Sequence, residues 1–341
     1  MNNRKIIFTL LLLTVFSISF LNQTANASDE QTLIFDIESP VSISIKADLG
    51  QLINNREIIQ IPAKIVVIAE NIEHNFEGSI EVRGNFRRAA ENCDFPPLRL
   101  LFSQTDIERT IFDGNMNVKL VTHCKENSSR FIQYMGKEYT TYKLYNLLSP
   151  YSLKVKMVDI TYIDDKDQLK TMNNQAFIIE DVNHLAAHYN MKEFEGKLSA
   201  DDIQKENLLQ LSVFQFMIGN TDWIIPLSKN LKFIRDDDRT LAVPYDFDYT
   251  ALVDPDYSIG GGYSILSTPV RKYKGPCYEI DELEAEFVRL KGKKEELLDI
   301  ISESPYLKRK SKSTMKNYIT EFFTIIESRE KVADYFQYIC K

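Results

Sequence analysis

The chain has 341 residues, with 41 Lys and Arg against 49 Asp and Glu, a formal net charge of -8, and 44% hydrophobic residues. It is long enough for two lobes or one large folded domain. An acidic balance without a basic tract excludes the electrostatic footprint of a DNA- or RNA-binding protein and favours partners with basic patches.

Residues 1–27 read as a secretory signal peptide that takes no part in the fold. Arg4 and Lys5 form a positive start, residues 6–21 are apolar, and Ala25-Asn26-Ala27 is a small-x-small cleavage site before Ser28. The apolar run is short for a membrane span and no Cys follows it, so neither stable membrane insertion nor a lipid anchor is expected there. The mature chain should be exported from a bacterial cell, periplasmic or extracellular, and soluble. Losing Arg4 and Lys5 takes its formal charge from -8 to -10.

Residues 28–180 read as a β-rich amino-terminal region. Period-two or apolar runs at 41–49, 61–70, 78–84, 98–102 and 115–121 predict strands. Residues 131–148 carry a broad apolar and aromatic helical face. Further strands follow at 153–162 and 176–179, on either side of the turn Asp164-Asp165-Lys166-Asp167. The expected arrangement is a sheet packed on the 131–148 helix. Residues 181–341 read as mostly helical. A helix from about 200 to 218 is too apolar for a surface position and should be buried. Residues 252–275 are irregular, and 281–302 and 311–338 are helical again.

Four cysteines, Cys93, Cys124, Cys277 and Cys340, form an even set in an oxidising compartment, which points to disulfides. Of the three possible connectivities, proximity in sequence favours Cys93–Cys124 with Cys277–Cys340. A zinc site lacks CxxC or HxxxH spacing among these cysteines.

The richest segment is residues 219–248. Asp222, Asn230, Asp246 and Asp248 collect there around one hairpin, with strands at 231–235 and 240–244 and the polar turn Asp236-Asp237-Asp238-Arg239. A turn centred between Asp237 and Asp238 sets Asn230 opposite Tyr245, beside Asp246 at the open end. Asp222 lies one short loop upstream. Converging hard oxygen ligands suit Mg²⁺ or Mn²⁺, above all with phosphates completing the shell. In Tyr245-Asp246-Phe247-Asp248, strand alternation would put both carboxylates on one face, where they repel unless a cation compensates. Each residue also has a plainer reading as a cap or turn residue. His74, His123, His184 and His188 show no metal-cluster spacing, Trp223 reads as a packing anchor, and no nucleophile elbow supports a serine hydrolase.

The order of parts, a helix, a loop with Asp then Asn, a hairpin and Asp-Phe-x, resembles that of protein kinases. Seven residues separate Asp222 from Asn230, and Asp246-Phe247-Asp248 stands in place of Asp-Phe-Gly. More closely, the chain resembles the spore-coat protein H (CotH) family of secreted atypical kinases. The resemblance lies in Arg83-Gly84-Asn85, in Asn220-Thr221-Asp222 with Asn230, and in Tyr245-Asp246-Phe247-Asp248, over roughly residues 80–250. It is a divergent form: Asn85-Phe86-Arg87-Arg88 follows where the family has a Ser-containing loop, and Arg99 stands where it tends to carry Lys.

This resemblance implies an α+β, two-lobed, atypical protein-kinase-like fold, divided into residues 28–180 and 181–341. It implies ATP with Mg²⁺ or Mn²⁺, and phosphate transfer to Ser or Thr of a protein acceptor. Asp222 would orient the acceptor hydroxyl, and Asn230 and Asp246, with Asp248 beside them, would hold metal. Lys119, Arg99 and Arg83 are the candidates for phosphate contact, with Glu138 as partner of Lys119. Residues 177–181 would form the hinge, Glu180 bordering the adenine. Two alternatives stay open: AMP transfer from the same metal site, and a non-catalytic envelope or surface binding protein on the same scaffold.

Overall fold

The computed structural model describes residues 32–57, 60–256, 271–337 and 340. The signal peptide read over residues 1–27, with its cleavage before Ser28, lies outside the described residues, as does most of the irregular stretch 252–275. The fold is α+β.

Seven strands close into a barrel: β1 (Val41–Ala47), β2 (Gln60–Ala69), β3 (Ile72–Val82), β4 (Leu98–Leu101), β5 (Asn117–Val121), β6 (Val155–Asp164) and β7 (Met172–Ile179). Their order around the barrel is β1-β2-β3-β4-β5-β7-β6, and the parallel pair β1–β6 closes it. The expected sheet is thus a closed barrel. Closure follows from alternation: Val41, Ile43, Ile45 and Ala47 on β1, and Ile61, Ala63, Ile65, Val67 and Ala69 on β2, all point into one buried core. The strand expected at 78–84 begins earlier, at Ile72. Its first half, Ile72-Glu73-His74-Asn75, is mostly polar and exposed, so no apolar period announced it. Glu70 and Asn71, with φ of 53° and 63°, join β2 to β3 as a two-residue left-handed turn between the paired residues Ala69 and Ile72. That turn type matches the twist of a hairpin.

Helices α1 (Leu49–Asn54) and α2 (Gln104–Ile107) are short, and α3 (Ser129–Leu148) lies between β5 and β6 in sequence. Tyr139 and Tyr142 of α3 meet Phe177 of β7 edge-on, at 5.7 and 5.9 Å between centroids. A second core takes over here, shared by α3, the outer residues Val121, Met157, Phe177 and Ile179, and the helical remainder of the chain. The remainder comprises α4 (Val182–His188), the two-residue strand β8 (Lys192–Glu193), α5 (Lys205–Met217), the hairpin β9 (Leu231–Arg235) and β10 (Thr240–Pro244), and helices α6 (Ile280–Gly292), α7 (Lys294–Glu303), α8 (Arg309–Ile326) and α9 (Arg329–Val332). As its composition required, α5 is largely buried. It opens later than expected because Ala200–Asp202 is a separate turn, closed by the Ser199 and Asp202 capping box. The helices expected at 281–302 and 311–338 each break once or more. Lys293 follows Gly292 out of α6, and Ser328 caps α9 by accepting from the Lys331 amide.

Both disulfides form with the pairing that sequence proximity favours, Cys93–Cys124 and Cys277–Cys340. They fit an exported protein. Among the described residues, no helix is long and apolar enough to cross a membrane.

His123 follows β5 and is 1% exposed, stacked on Phe95 at 5.3 Å, with no hydrogen-bond partner at either ring nitrogen. Burial pushes its pKa down to about 4, against some opposition from Asp94. The unfolded chain therefore takes up this proton first as pH falls, so stability is full above about 6.5 and declines toward pH 4, by ~3 kcal/mol at most. Urea unfolding of wild type and His123→Phe between pH 7 and 4.5 should show the wild-type midpoint falling faster. Parallel curves would rule out His123 as the source of the acid sensitivity.

Candidate active site

Helix α5 stops at Gly219, whose φ of 65° suits glycine, and where an added Cβ would come within 2.6 Å of the Ala251 Cβ. The chain then turns sharply into Asn220-Thr221-Asp222. Asn220 is buried: its amide nitrogen donates to Gln215 at 2.9 Å and its oxygen accepts the Asp222 amide at 2.8 Å. Ile224 and Lys229 pair across a small loop, with Ser228 left-handed at its tip. The loop returns Lys229 to an ion pair with the Asp222 carboxylate. Asn230, also left-handed, donates its side-chain amide to the Asp222 carbonyl at 2.7 Å and to its carboxylate at 3.1 Å.

The hairpin register is the one expected from the turn. Leu231 pairs with Pro244, and the Tyr245 amide donates to the Asn230 carbonyl at 3.1 Å. Strand alternation does not continue beyond Pro244, and this is a correction. Asp246 has φ of 64°, and its amide donates to the Tyr142 hydroxyl of α3 at 2.8 Å. The two rings consequently part company. Tyr245 lines the cleft, while Phe247 is fully buried against Tyr142 and Phe214. The two carboxylates still border one cleft.

That cleft, of about 600 Å³, lies between the barrel end and the hairpin. It gathers Arg83, Arg99, Lys119, Glu138, Asp222, Asn230, Asp246 and Asp248, eight of the nine residues singled out in the sequence. Glu180 is the exception. It is 3% exposed and lines a different cavity, where it accepts the Lys154 amide at 2.8 Å and meets His184 Nδ1 at 2.6 Å. Its carboxylate is thus committed to closing the start of α4 rather than to the cleft.

The barrel strands supply Arg99 and Lys119, Arg83 follows β3, and β9 supplies Lys232, which is paired with Glu193 at 2.6 Å. Arg99 and Lys119 face each other across β4 and β5, and Arg99 is also paired with Glu81 at 2.8 Å. Lys119 Nζ sits 3.9 Å over the Tyr245 ring. Burial lowers its pKa to about 7, and Arg83, Lys232 and Arg99 add to the effect while Asp246 opposes it. Arg83 Nε is buried without a hydrogen-bond partner.

The expected pair between Lys119 and Glu138 is absent. Glu138 instead meets Arg87, whose Nη2 lies 3.2 Å from Glu138 and 2.9 Å from Asp248. Reach explains the difference: Lys119 is held over Tyr245, whereas the loop after β3 carries Arg87 down to α3. Arg87, Lys229 and Lys232 are cleft residues that the sequence did not single out as site residues. Arg87 and Lys229 were signalled by their closeness to Arg83-Gly84-Asn85 and to Asn230. Lys232 had no signal beyond its place in β9.

Glu138 and Asp248 are both buried, and burial raises both carboxyls above the usual range. Asp246 raises each further, and Arg87 opposes. An acidic end with one guanidinium between two of its three carboxylates has the donor chemistry of a divalent-cation site, hard oxygens short of positive charge. Asn230, Asp246 and Asp248 line this cleft and offer such oxygens. A second acidic cluster, Asp48, Asp164 and Asp165, is otherwise engaged: Asp164 accepts the Leu49, Gln168 and Leu169 amides.

No protein-family model and no curated protein matches the chain. Among solved structures, the crystal structure of a Helicobacter pylori proinflammatory kinase, CtkA, matches over 68% of this chain and 88% of that chain, at 12% identity and a TM-score of 0.38. A similarity so distant does not speak to chemistry, which rests on the cleft's own residues.

A lysine with a pKa near 7 is a nucleophile at neutral pH, because its amine is largely unprotonated above that value. Acylation of Lys119 by a limiting amount of an amine-reactive anhydride, followed by peptide mass spectrometry, should show a rate midpoint near pH 7. A midpoint near that of ordinary lysines would contradict the crowded cationic site.

Proposed function

We propose that this chain is an exported, metal-dependent phosphotransferase of the CotH-like type, with a kinase-like two-lobed arrangement divided near Glu180, that moves the γ-phosphate of ATP to a protein hydroxyl. The observation that carries the reading is the cleft's division of charge. Arg83, Arg99 and Lys232 act on Lys119, while Glu138 and Asp248 share Arg87 and are acted on by Asp246, with Arg83 and Asp246 reaching both groups. A polyphosphate with a divalent cation would add negative charge beside the cations and positive charge beside the acids.

Asp222 borders the same cleft at the mouth of the α5 loop, its side chain 29% exposed. It is placed to accept the proton of an acceptor hydroxyl as the oxygen bonds to the γ-phosphorus and ADP leaves. Lys229 holds its orientation. Asn230 commits its amide nitrogen to Asp222, which leaves the amide oxygen as the atom for metal. Asn230 and Asp246, with Asp248, would hold a Mg²⁺ or Mn²⁺ ion, which would supply positive charge to the transferring phosphate. Positioning and charge neutralisation then account for the catalysis.

One observation favours a second reading, nucleotide binding without transfer. Arg87, a side chain of the protein itself, already compensates Glu138 and Asp248. Incubation of the mature protein with γ- and α-labelled ATP, Mg²⁺ or Mn²⁺ and generic acceptor proteins separates the readings. Label from the γ position is expected. Label from the α position would replace phosphate transfer with AMP transfer, and binding without label would support the second reading.

Within the first reading, Asp246→Ala should abolish metal-dependent nucleotide binding measured by calorimetry. Asp222→Ala should leave that binding nearly unchanged and lower transfer by about 10²- to 10⁴-fold, because a general base acts in the transition state. Wild-type transfer by Asp222→Ala would remove Asp222 from the chemistry.

A further inference from the structure

The connection from β3 to β4 runs from Arg83 to Pro97 and is held at both ends. At its start Arg83 donates its amide to the Pro97 carbonyl at 3.0 Å. At its far end Cys93 is bonded to Cys124, and the Arg56 guanidinium reaches the Cys93 and Asp94 carbonyls at 2.5 Å each. Between these anchors the chain bends at Gly84, with φ of 79° and open space around it, and then dips into the cleft. Phe86 meets Tyr249 edge-on at 5.7 Å. Arg87 passes inward, 12% exposed, and places one nitrogen, Nη2, between two carboxylates.

We propose that Arg87 is a built-in counter-cation of the cleft's acidic end, and that it competes with a divalent ion for Asp248. The inference rests on the metal-site reading given above, and deepens it by assigning a residue that governs metal loading. The charges facing Arg87 are Glu138 from α3 and Asp248 from the segment after β10, with Asp246 acting on both carboxylates and Arg83 adding positive charge beside Glu138. The Arg87 guanidinium is in direct contact with both of these buried acids. Buried carboxylates without a cation are costly, so the pairing holds the Arg83–Arg88 stretch down on the cleft. An ion coordinated by Asp246 and Asp248 adds positive charge beside the guanidinium. Like charges at that range repel, so the two cations exclude one another and loading the ion releases Arg87. Released, the guanidinium lies in the cationic half of the cleft, with geometry suited to phosphate oxygens.

The test uses Mn²⁺ alone with the nucleotide-free mature protein at pH 8, its affinity read by electron paramagnetic resonance. Arg87→Gln should bind Mn²⁺ about ten-fold more tightly than wild type, because the competing charge is gone. An affinity unchanged or weakened in Arg87→Gln, while Asp246→Ala abolishes binding, overturns the role of Arg87 and leaves the metal site standing. Mn²⁺ binding that survives Asp246→Ala at full strength overturns the metal reading itself, and this inference with it. A second measurement needs no variant. Phenylglyoxal modification of Arg87 in the wild-type protein, followed by peptide mass spectrometry, should accelerate several-fold when Mn²⁺ is added. A rate unchanged or slowed by Mn²⁺ overturns the proposal even if Arg87→Gln does not fold.

Discussion

The hydrogen bond from the Asp246 amide to the Tyr142 hydroxyl is the contact on which the arrangement of the cleft depends. Tyr142 is 1% exposed and sits on α3, its ring packed between Phe177 of the barrel and Phe247 beyond the hairpin. The hydroxyl satisfies an amide that would otherwise be left unpaired where the chain leaves β10. It also holds Asp246 in a left-handed conformation that costs a non-glycine residue ~1 kcal/mol or more. One side chain thus ties barrel, helix and hairpin together. It sets Asp246 and Asp248 toward the cleft while Phe247 goes to the core.

From that junction the cleft acquires two electrical halves. Arg99 and Lys119 come from adjacent barrel strands, and Arg83 from the end of β3. The acids come from α3 and from the chain after β10. The halves are built largely by different elements, although Arg99 also pairs with Glu81 across β3 and β4. Arg87 is a cation from the barrel side delivered into contact with the acids by the connection that Cys93–Cys124 anchors, and Arg83 acts beside Glu138 as well. A disulfide with a sequence separation of 31 residues contributes ~3 kcal/mol by restricting the unfolded chain. Its further effect here is local, since it fixes one end of the loop that carries Arg87.

The loop from Asp222 to Asn230 follows a different principle. Its conformation is set by left-handed residues, Ser228 and Asn230, and by hydrogen bonds that fold it back on itself. Asp222 is held from three directions, by Asn220 at its amide, by Asn230 at its carbonyl and carboxylate, and by Lys229 at its carboxylate. A carboxylate held this way is pre-oriented, which is what positioning a hydroxyl demands.

Much of this was legible in the sequence, for reasons that differ by element. Alternation along β1 and β2, the apolar density of α5 and the polar turn at residues 236–239 are local patterns, so strands, a buried helix and the hairpin register follow from them. The same register brings Asn230 opposite Tyr245, and the motif residues fall in one cleft because they lie at the ends of consecutive short elements. Cysteine pairing by proximity is also local. Tertiary structure alone decided the rest. Barrel closure needs the parallel pairing of β1 with β6, strands more than a hundred residues apart, which no local period encodes. The left-handed turn of Asp246 needs Tyr142 from another element, so alternation through residues 245–248 was the reasonable but wrong extrapolation. Glu180 is drawn to Lys154 and His184, and Glu138 to Arg87, because the partner of a buried charge is whichever opposite group the packing brings within reach, and reach is a property of the folded chain.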